Sequence, residues 1–257
     1  MVNCELFRNF ATMISKNQIK LIHSLEQKKN RKREGLFVAE GPKVVSDLLK
    51  AGFLPHSIFC CGEWKGACDE RFVQEISDEE LHRISFLQHP QQVLAVFHIP
   101  TLNESPSTLD TTLSLALDGV QDPGNLGTII RIADWFGIDH IYCSPDTADA
   151  YNPKVVQATM GSIAHVHIIY CDLVRLLTDA TCPVYGTLLD GNDIYQQELS
   201  PNGIVVMGNE GNGISEAVRP LVTHRLLIPT YNTSGHTAES LNVAIATAIT
   251  CSEFRRR

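Results

Sequence analysis

The chain has 257 residues, 44% of them hydrophobic and 19% charged, and carries a formal net charge of −8. That length suits one large or two modest domains with a sizeable core. No apolar run approaches the roughly 18 residues a membrane span needs, none of the eight cysteines stands in a C-x-x-C pair, and no basic-then-apolar leader opens the chain, so a membrane span, a disulfide scaffold and a zinc site are not expected and a reduced cytoplasmic setting is.

The charge is unevenly spread. Residues 1–105 carry 13 Lys/Arg and 13 Asp/Glu, whereas residues 106–257 carry 8 and 16, so the whole negative balance lies in the second part. Within the first part, residues 16–33 hold seven basic side chains, Lys16, Lys20, Lys28, Lys29, Arg31, Lys32 and Arg33, against the single Glu26. Such a run is either a solvated helix face or an electrostatic footprint for phosphate.

In chain order, 15–30 reads as a helix, 37–41 as a strand, and Pro42 opens a second helix to residue 51 from its first turn. Strands follow at 57–62, 72–76 and 93–99, with a short helix at 78–85. The Pro- and Ser-rich stretch 100–111 is the most linker-like in the chain, which places a domain boundary after residue 105. Beyond it strands (113–120, 140–144, 165–170, 183–189, 203–208, 224–229) alternate with helices (126–136, 153–161, 172–179, near 215–221, 238–254). Near-continuous apolar strands in such an alternation indicate a parallel sheet covered on both faces.

Three segments of the second part run from an apolar strand through a polar, Gly- or Asn-rich turn into a helix, where open α/β sheets place ligand sites. They are DPGNLGTIIRIADWFG (122–137), VMGNEGNGIS (206–215) and IPTYNTSGHTAESLNVAIATAI (228–249). The pattern of Asn125, Gly127, Arg131 and Ala133, then Gly208 to Ile214, then Ile228, Pro229 and Ser240 to Ala246 resembles the three motifs of the SpoU/TrmH family, S-adenosylmethionine-dependent RNA ribose 2′-O-methyltransferases. Residues 14–49 and 90–97 resemble the small L30e-like substrate-binding domain that often precedes the catalytic domain in that family.

The resemblance implies an α/β fold in which a small α/β domain (1–105) precedes a parallel-sheet domain (106–257) with a deep C-terminal knot, a feature that no periodicity reveals. It also implies S-adenosylmethionine held by Leu188, Gly208, Ile228 and Leu241, a homodimer, and a structured RNA substrate, ribosomal rather than transfer RNA. On that reading Lys28, Lys29, Arg31, Lys32 and Arg33 contact RNA.

Methyl transfer to a ribose hydroxyl needs an electrophilic donor, an aligned 2′-oxygen and a route for its proton. Arg131 and Lys154 are the only basic side chains between residues 106 and 174. Arg131 either pairs with an acid such as Asp134 or grips the phosphate beside the target ribose through its bidentate fork. Proton abstraction by it is the weaker role, because a guanidinium, with a pKa above about 12, is seldom neutral. Asn125 orients substrate or Arg131, or caps a helix. Glu210 pairs with Arg131, accepts from the target nucleotide, or is a solvated turn acid. Ser240 and Asn242 stand at a helix start, where capping competes with catalysis, above all for Ser240. His236 titrates in a useful range, but the family pattern calls on no histidine there, and no metal-ligand spacing is present. Two other classes compete: a non-catalytic RNA-binding protein with a degenerate knot domain, and a dinucleotide-dependent oxidoreductase, which lacks G-x-G-x-x-G after strand 113–120.

Overall fold

The computed structural model describes residues 13–62, 64, 66, 68–101, 111–232 and 238–256. His236, Cys4 and the expected boundary after residue 105 lie outside the described residues. The chain forms two compact units, one comprising residues up to 100 together with 151–164, the other 101–150 and 165–257.

The first unit contains α1 (Lys16–Ser24), α2 (Lys28–Glu34), β1 (Leu36–Glu40), α3 (Pro42–Lys50), β2 (Pro55–Cys60), β3 (Val73–Glu75), α4 (Asp78–Ile84) and β4 (Val93–His98). Its sheet runs β1-β4-β2-β3, with β4 antiparallel to both neighbours and β2 parallel to β3. Val93 to Phe97 are all buried, as a central strand requires. Capping boxes start α1 (Ser15 with Gln18) and α4 (Ser77 with Glu80), each satisfying two otherwise unpaired amides.

The single helix expected over 15–30 is instead two, broken at Leu25–Gln27. The break leaves carbonyls without helical partners, and the side chains of α2 supply the missing donors. Asn30 Nδ2 donates to Ser24 O at 2.8 Å, and Arg31 Nη1 donates to Leu25 O at 2.6 Å and Glu26 O at 2.8 Å. Arg31 is thereby 1% exposed. This corrects its expected place among the RNA contacts: its guanidinium closes a chain break inside the unit, while Lys28, Lys29, Lys32 and Arg33 lie on the exposed surface. Arg31→Ala is therefore expected to destabilise the protein by about 2–4 kcal/mol through orphaned carbonyls. Lys29→Glu with Lys32→Glu is expected to leave stability within about 0.5 kcal/mol of wild type and to weaken RNA binding; denaturant melts and an RNA filter-binding titration separate the two.

In the second unit, β5 (Leu113–Asp118), α5 (Pro123–Trp135) and β6 (His140–Cys143) come first. The next helix, α6 (Pro153–Ala158), was expected in the second domain but packs on β1 in the first unit. Its segment brings the Tyr151 ring to 4.8 Å from that of Phe37, centroid to centroid, and Met160 O to 2.8 Å from Lys43 Nζ. There follow β7 (His167–Tyr170), α7 (Leu173–Thr178), β8 (Val184–Asp193), β9 (Gly203–Gly208), β10 (His224–Leu227) and α8 (Val243–Arg256). The helix expected near 215–221 is only a 3-10 turn, Arg219–Leu221, because Pro220 in its middle has no N–H to donate.

The six strands are all parallel, in the order β10-β8-β9-β5-β6-β7. β5 and β9 are buried along their whole lengths, the signature of strands covered on both faces. From β5 the chain proceeds to β6 and β7 on one side, while β9 and β8 lie on the other. The sheet thus reverses its winding between β5 and β9, and ligands bind outside the carboxyl ends of strands at such a switch point. There Asp118 and Gly208 are register partners. A second irregularity lies along β10, whose partner in β8 jumps from Gly186 at Arg225 to Asn192 at Leu226. Residues 187–191 thereby leave that ladder, and 187–190 form part of a cleft wall.

Of the described cysteines, Cys60, Cys143, Cys182 and Cys251 are buried and all seven are free. Burial pushes the Cys251 thiol up to about 12, with smaller opposing effects from Arg255 and its own backbone, so it packs as a neutral apolar group.

Candidate active site

Asp118 ends β5 and accepts a hydrogen bond from Ser215 N at 2.7 Å, fixing the far side of the turn that follows β9. That turn is closed by paired backbone bonds between Asn209 and Gly213, both 2.9 Å. Asn209 Oδ1 accepts from the amides of Gly211 and Asn212, while its Nδ2 donates to Gly119 O at 2.7 Å. Gly208 allows this folding-back. A Cβ there would stand 2.2 Å from Gly213 C and 2.3 Å from Ile214 N, both backbone atoms.

The turn holds Glu210 against the start of α5. Its Oε1 accepts from Asp122 N at 3.1 Å and Asn125 Nδ2 at 3.0 Å, and its Oε2 from Gln121 N at 3.2 Å. Asp122 caps α5, and its side chain takes the Asn125 amide at 2.8 Å. Asn125 Oδ1 in turn accepts from Asn242 Nδ2 at 2.9 Å, and Asn242 Oδ1 accepts from Ala244 N and Ile245 N. The polarity of this chain is self-consistent. A carboxylate can only accept, so Asn125 must point its amide nitrogen at Glu210 and its oxygen at Asn242; helix amides can only donate, so Asn242 must turn its oxygen toward α8. One continuous run of hydrogen bonds therefore joins the three motif segments.

Four expectations are corrected by this arrangement. Glu210 pairs with Asn125 and backbone amides, not with Arg131. The cap of α8 is Asn242 rather than Ser240, and the helix starts at Val243 rather than 238. Asp122, not Asn125, caps α5.

Burial raises the pKa of Glu210, but the hydrogen bonds from Asn125 and the backbone outweigh it and leave the carboxyl below its ordinary value. A depressed carboxylate contributes stability that is fully present above the unfolded-state value, 4.5, and is lost as pH falls through the folded one. Glu210→Gln is thus expected to be less stable than wild type at pH 7, and the difference is expected to shrink steadily below about pH 4.5. Denaturant melts of both proteins across that range check it; a gap that widens in acid contradicts the assignment.

Arg131 lies on the exposed stripe of α5 with Gly124, Thr128 and Trp135. It makes no hydrogen bond or ion pair among the described residues; Asp134, a competing partner, faces His165 at 3.4 Å.

Beside these residues opens a cleft of about 500 Å³, within the few hundred to 1,000 Å³ typical of small-molecule sites. Leu188, Gly208, Ile228 and Leu241 all line it, with Glu210 and Ser240; Arg131 does not. Sequence reasoning missed the further lining residues Met207, Ile214, Asp190 and Arg219. Met207 and Ile214 lay inside or beside a quoted motif, whereas Asp190 and Arg219 carried no signal in isolation.

An all-parallel sheet with a cleft of small-molecule size formed by β8, β9, β10 and the start of α8 defines an α/β domain able to bind a ligand. Residues 112–252 match the model of the SpoU rRNA Methylase family and residues 16–95 that of the MRM3-like substrate binding domain; the chain belongs to the SpoU rRNA methylase family. It is 34% identical to the Bacillus subtilis 23S rRNA (guanosine(2553)-2′-O)-methyltransferase RlmP over 91% of this chain and 95% of that one. A solved TrmH-family protein from Porphyromonas gingivalis superposes with a TM-score of 0.86 at 42% identity, covering 95% of this chain and 99% of its own. An rRNA methyltransferase from Sinorhizobium meliloti, solved with AdoMet bound, gives 0.82 at 30% identity, covering 95% and 97%.

The cleft fits a cofactor of that kind. Aliphatic side chains from three strands, β8, β9 and β10, and from the start of α8, with a glycine that admits no side chain between them, suit a nucleoside laid against backbone.

Proposed function

We propose that this protein transfers a methyl group from S-adenosylmethionine to a ribose 2′-hydroxyl of structured RNA, ribosomal rather than transfer RNA. The observation that carries the reading is the side-chain chain Glu210–Asn125–Asn242, which draws all three motif segments to one edge of a cofactor-sized cleft. The ribosomal preference is supported by the RlmP relative, whose name gives 23S rRNA as its substrate.

When bound, the cofactor supplies an electrophilic methyl group. Leu188, Gly208, Ile228 and Leu241 enclose it. Arg131 grips the phosphate next to the target nucleotide and sets the 2′-oxygen in line, a positioning role worth orders of magnitude in rate. Glu210 and Asn242 hold Asn125 rigid, so that one face of its amide cannot drift, and Ser240 stands at the cleft edge where nucleotide and cofactor meet. Lys28, Lys29, Lys32 and Arg33 give the first unit its electrostatic hold on RNA.

The same reading includes a homodimer, a knotted C-terminal path and a cytoplasmic setting. The dimer is supported by large apolar side chains left exposed on the second unit, among them Trp135, Leu189, Tyr231 and Ile245, which a second copy would cover. No helix among the described residues is long and apolar enough to cross a membrane.

Incubating the purified chain with methyl-labelled S-adenosylmethionine and total RNA from cells lacking it tests the proposal. Label confined to ribosomal RNA supports it. Cofactor and RNA binding with no label in any RNA favours the non-catalytic alternative.

A further inference from the structure

Arg219 is the one cationic side chain among the described residues lining the cleft. Its position is set from both ends. Its backbone amide donates to Ser215 O at 2.8 Å, and Ser215 is itself held by Asp118. Its Nη2 donates to Asp190 Oδ2 at 2.6 Å, and Arg225 Nη1 reaches the same oxygen at 3.1 Å. Asp190 belongs to the segment 187–191 that leaves the β8–β10 ladder, so the irregular register puts this carboxylate in the cleft wall.

Asp190 is shared between two guanidinium groups, so it neutralises Arg219 only in part, while Glu210 and Glu239 also line the cleft. Only one of the five N–H donors of Arg219 is used by Asp190, so a fork remains for a planar anion. Aliphatic side chains, Leu188, Met207, Ile214 and Leu226, line the same cleft. Resting on the proposed function, the geometry points to Arg219, held in place by Asp190 and Arg225, as the residue that recognises the α-carboxylate of the cofactor's amino-acid moiety. Arg219 touches cofactor; Asp190 is a positioning residue.

Calorimetric titration of the full chain with S-adenosylhomocysteine, which has the carboxylate, and 5′-methylthioadenosine, which lacks the amino-acid end, tests this. Arg219→Ala is expected to weaken S-adenosylhomocysteine on the order of 10- to 100-fold, the worth of one charged hydrogen bond, and to leave methylthioadenosine within about twofold. Arg219→Lys is expected to keep part of the affinity, since charge survives without the fork. Asp190→Asn is expected to fall between wild type and Arg219→Ala. Equal losses for both ligands, or no loss for either, overturn the inference. So does unchanged cofactor affinity with weakened RNA binding, which assigns Arg219 to a phosphate instead. If neither ligand binds wild type, the proposed function itself fails and takes this inference with it.

Discussion

Arg131→Ala is expected to lower methyl transfer by about two to three orders of magnitude while leaving cofactor affinity and thermal stability near wild type. The separation follows from where the side chain stands. Arg131 is exposed on α5, outside the cleft lining, with no bond to another described residue, so its removal breaks nothing in the fold; surface changes of that kind stay within about 0.5 kcal/mol. On the proposed function its guanidinium grips a phosphate, so the loss is expected only when RNA must be aligned. Single-turnover transfer, calorimetry and a thermal melt on one preparation provide the three readings. Collapse of cofactor binding would make Arg131 a scaffold residue; full activity would remove it from the site. Arg131→Lys is expected to recover only part of the rate, because an ammonium lacks the bidentate fork.

Gly208→Ala is expected to be as damaging by the opposite route, through the cofactor. The new methyl would press on the backbone of Gly213 and Ile214 at 2.2 and 2.3 Å, distances that no rotamer change relieves. The turn must move, and its movement pulls on the Asn209–Gly119 and Glu210–Asn125 bonds that tie it to β5 and α5. Overpacking costs about 1–3 kcal/mol and each displaced hydrogen bond about 1 more. Cofactor affinity is expected to fall at least about 100-fold, some 2.7 kcal/mol, because the methyl also narrows the cleft. Calorimetry shows this directly, with a denaturant melt giving the stability cost. Near-normal affinity would mean that the cofactor does not approach Gly208.

Much of the fold was legible in the sequence because buried strands announce themselves. The run LSLALD at 113–118 and GIVVMG at 203–208 are apolar without alternation, and both are central. Helix ends were less legible, since they depend on which of several polar residues caps. On paper Ser240 is the stronger capping candidate, and only the placement of α8 against Asn125 selects Asn242. The break after α1 was hidden for a related reason: Arg31 reads as one more surface cation until its three-dimensional neighbours show it closing the carbonyls of Leu25 and Glu26.

The site divides in the same way. The residues of the three motifs were found by resemblance, but the bonds among them span 85 residues from Asn125 to Glu210 and 117 from Asn125 to Asn242, distances no local pattern encodes. Asp190 and Arg219 were invisible because each is unremarkable alone; their meaning arises from a register jump between β8 and β10 that puts Asp190 in the cleft wall, where it meets Arg219.

Nucleotide-resolution mapping of ribose methylation, on ribosomal RNA from cells lacking the protein and treated in vitro with the purified chain and S-adenosylmethionine, tests the central claim most directly. An alkali-resistant linkage appearing at one ribose with wild type, and absent with Arg131→Ala, is the predicted result. Methyl groups found on bases, or no new ribose methylation although both cofactor and RNA bind, would contradict it.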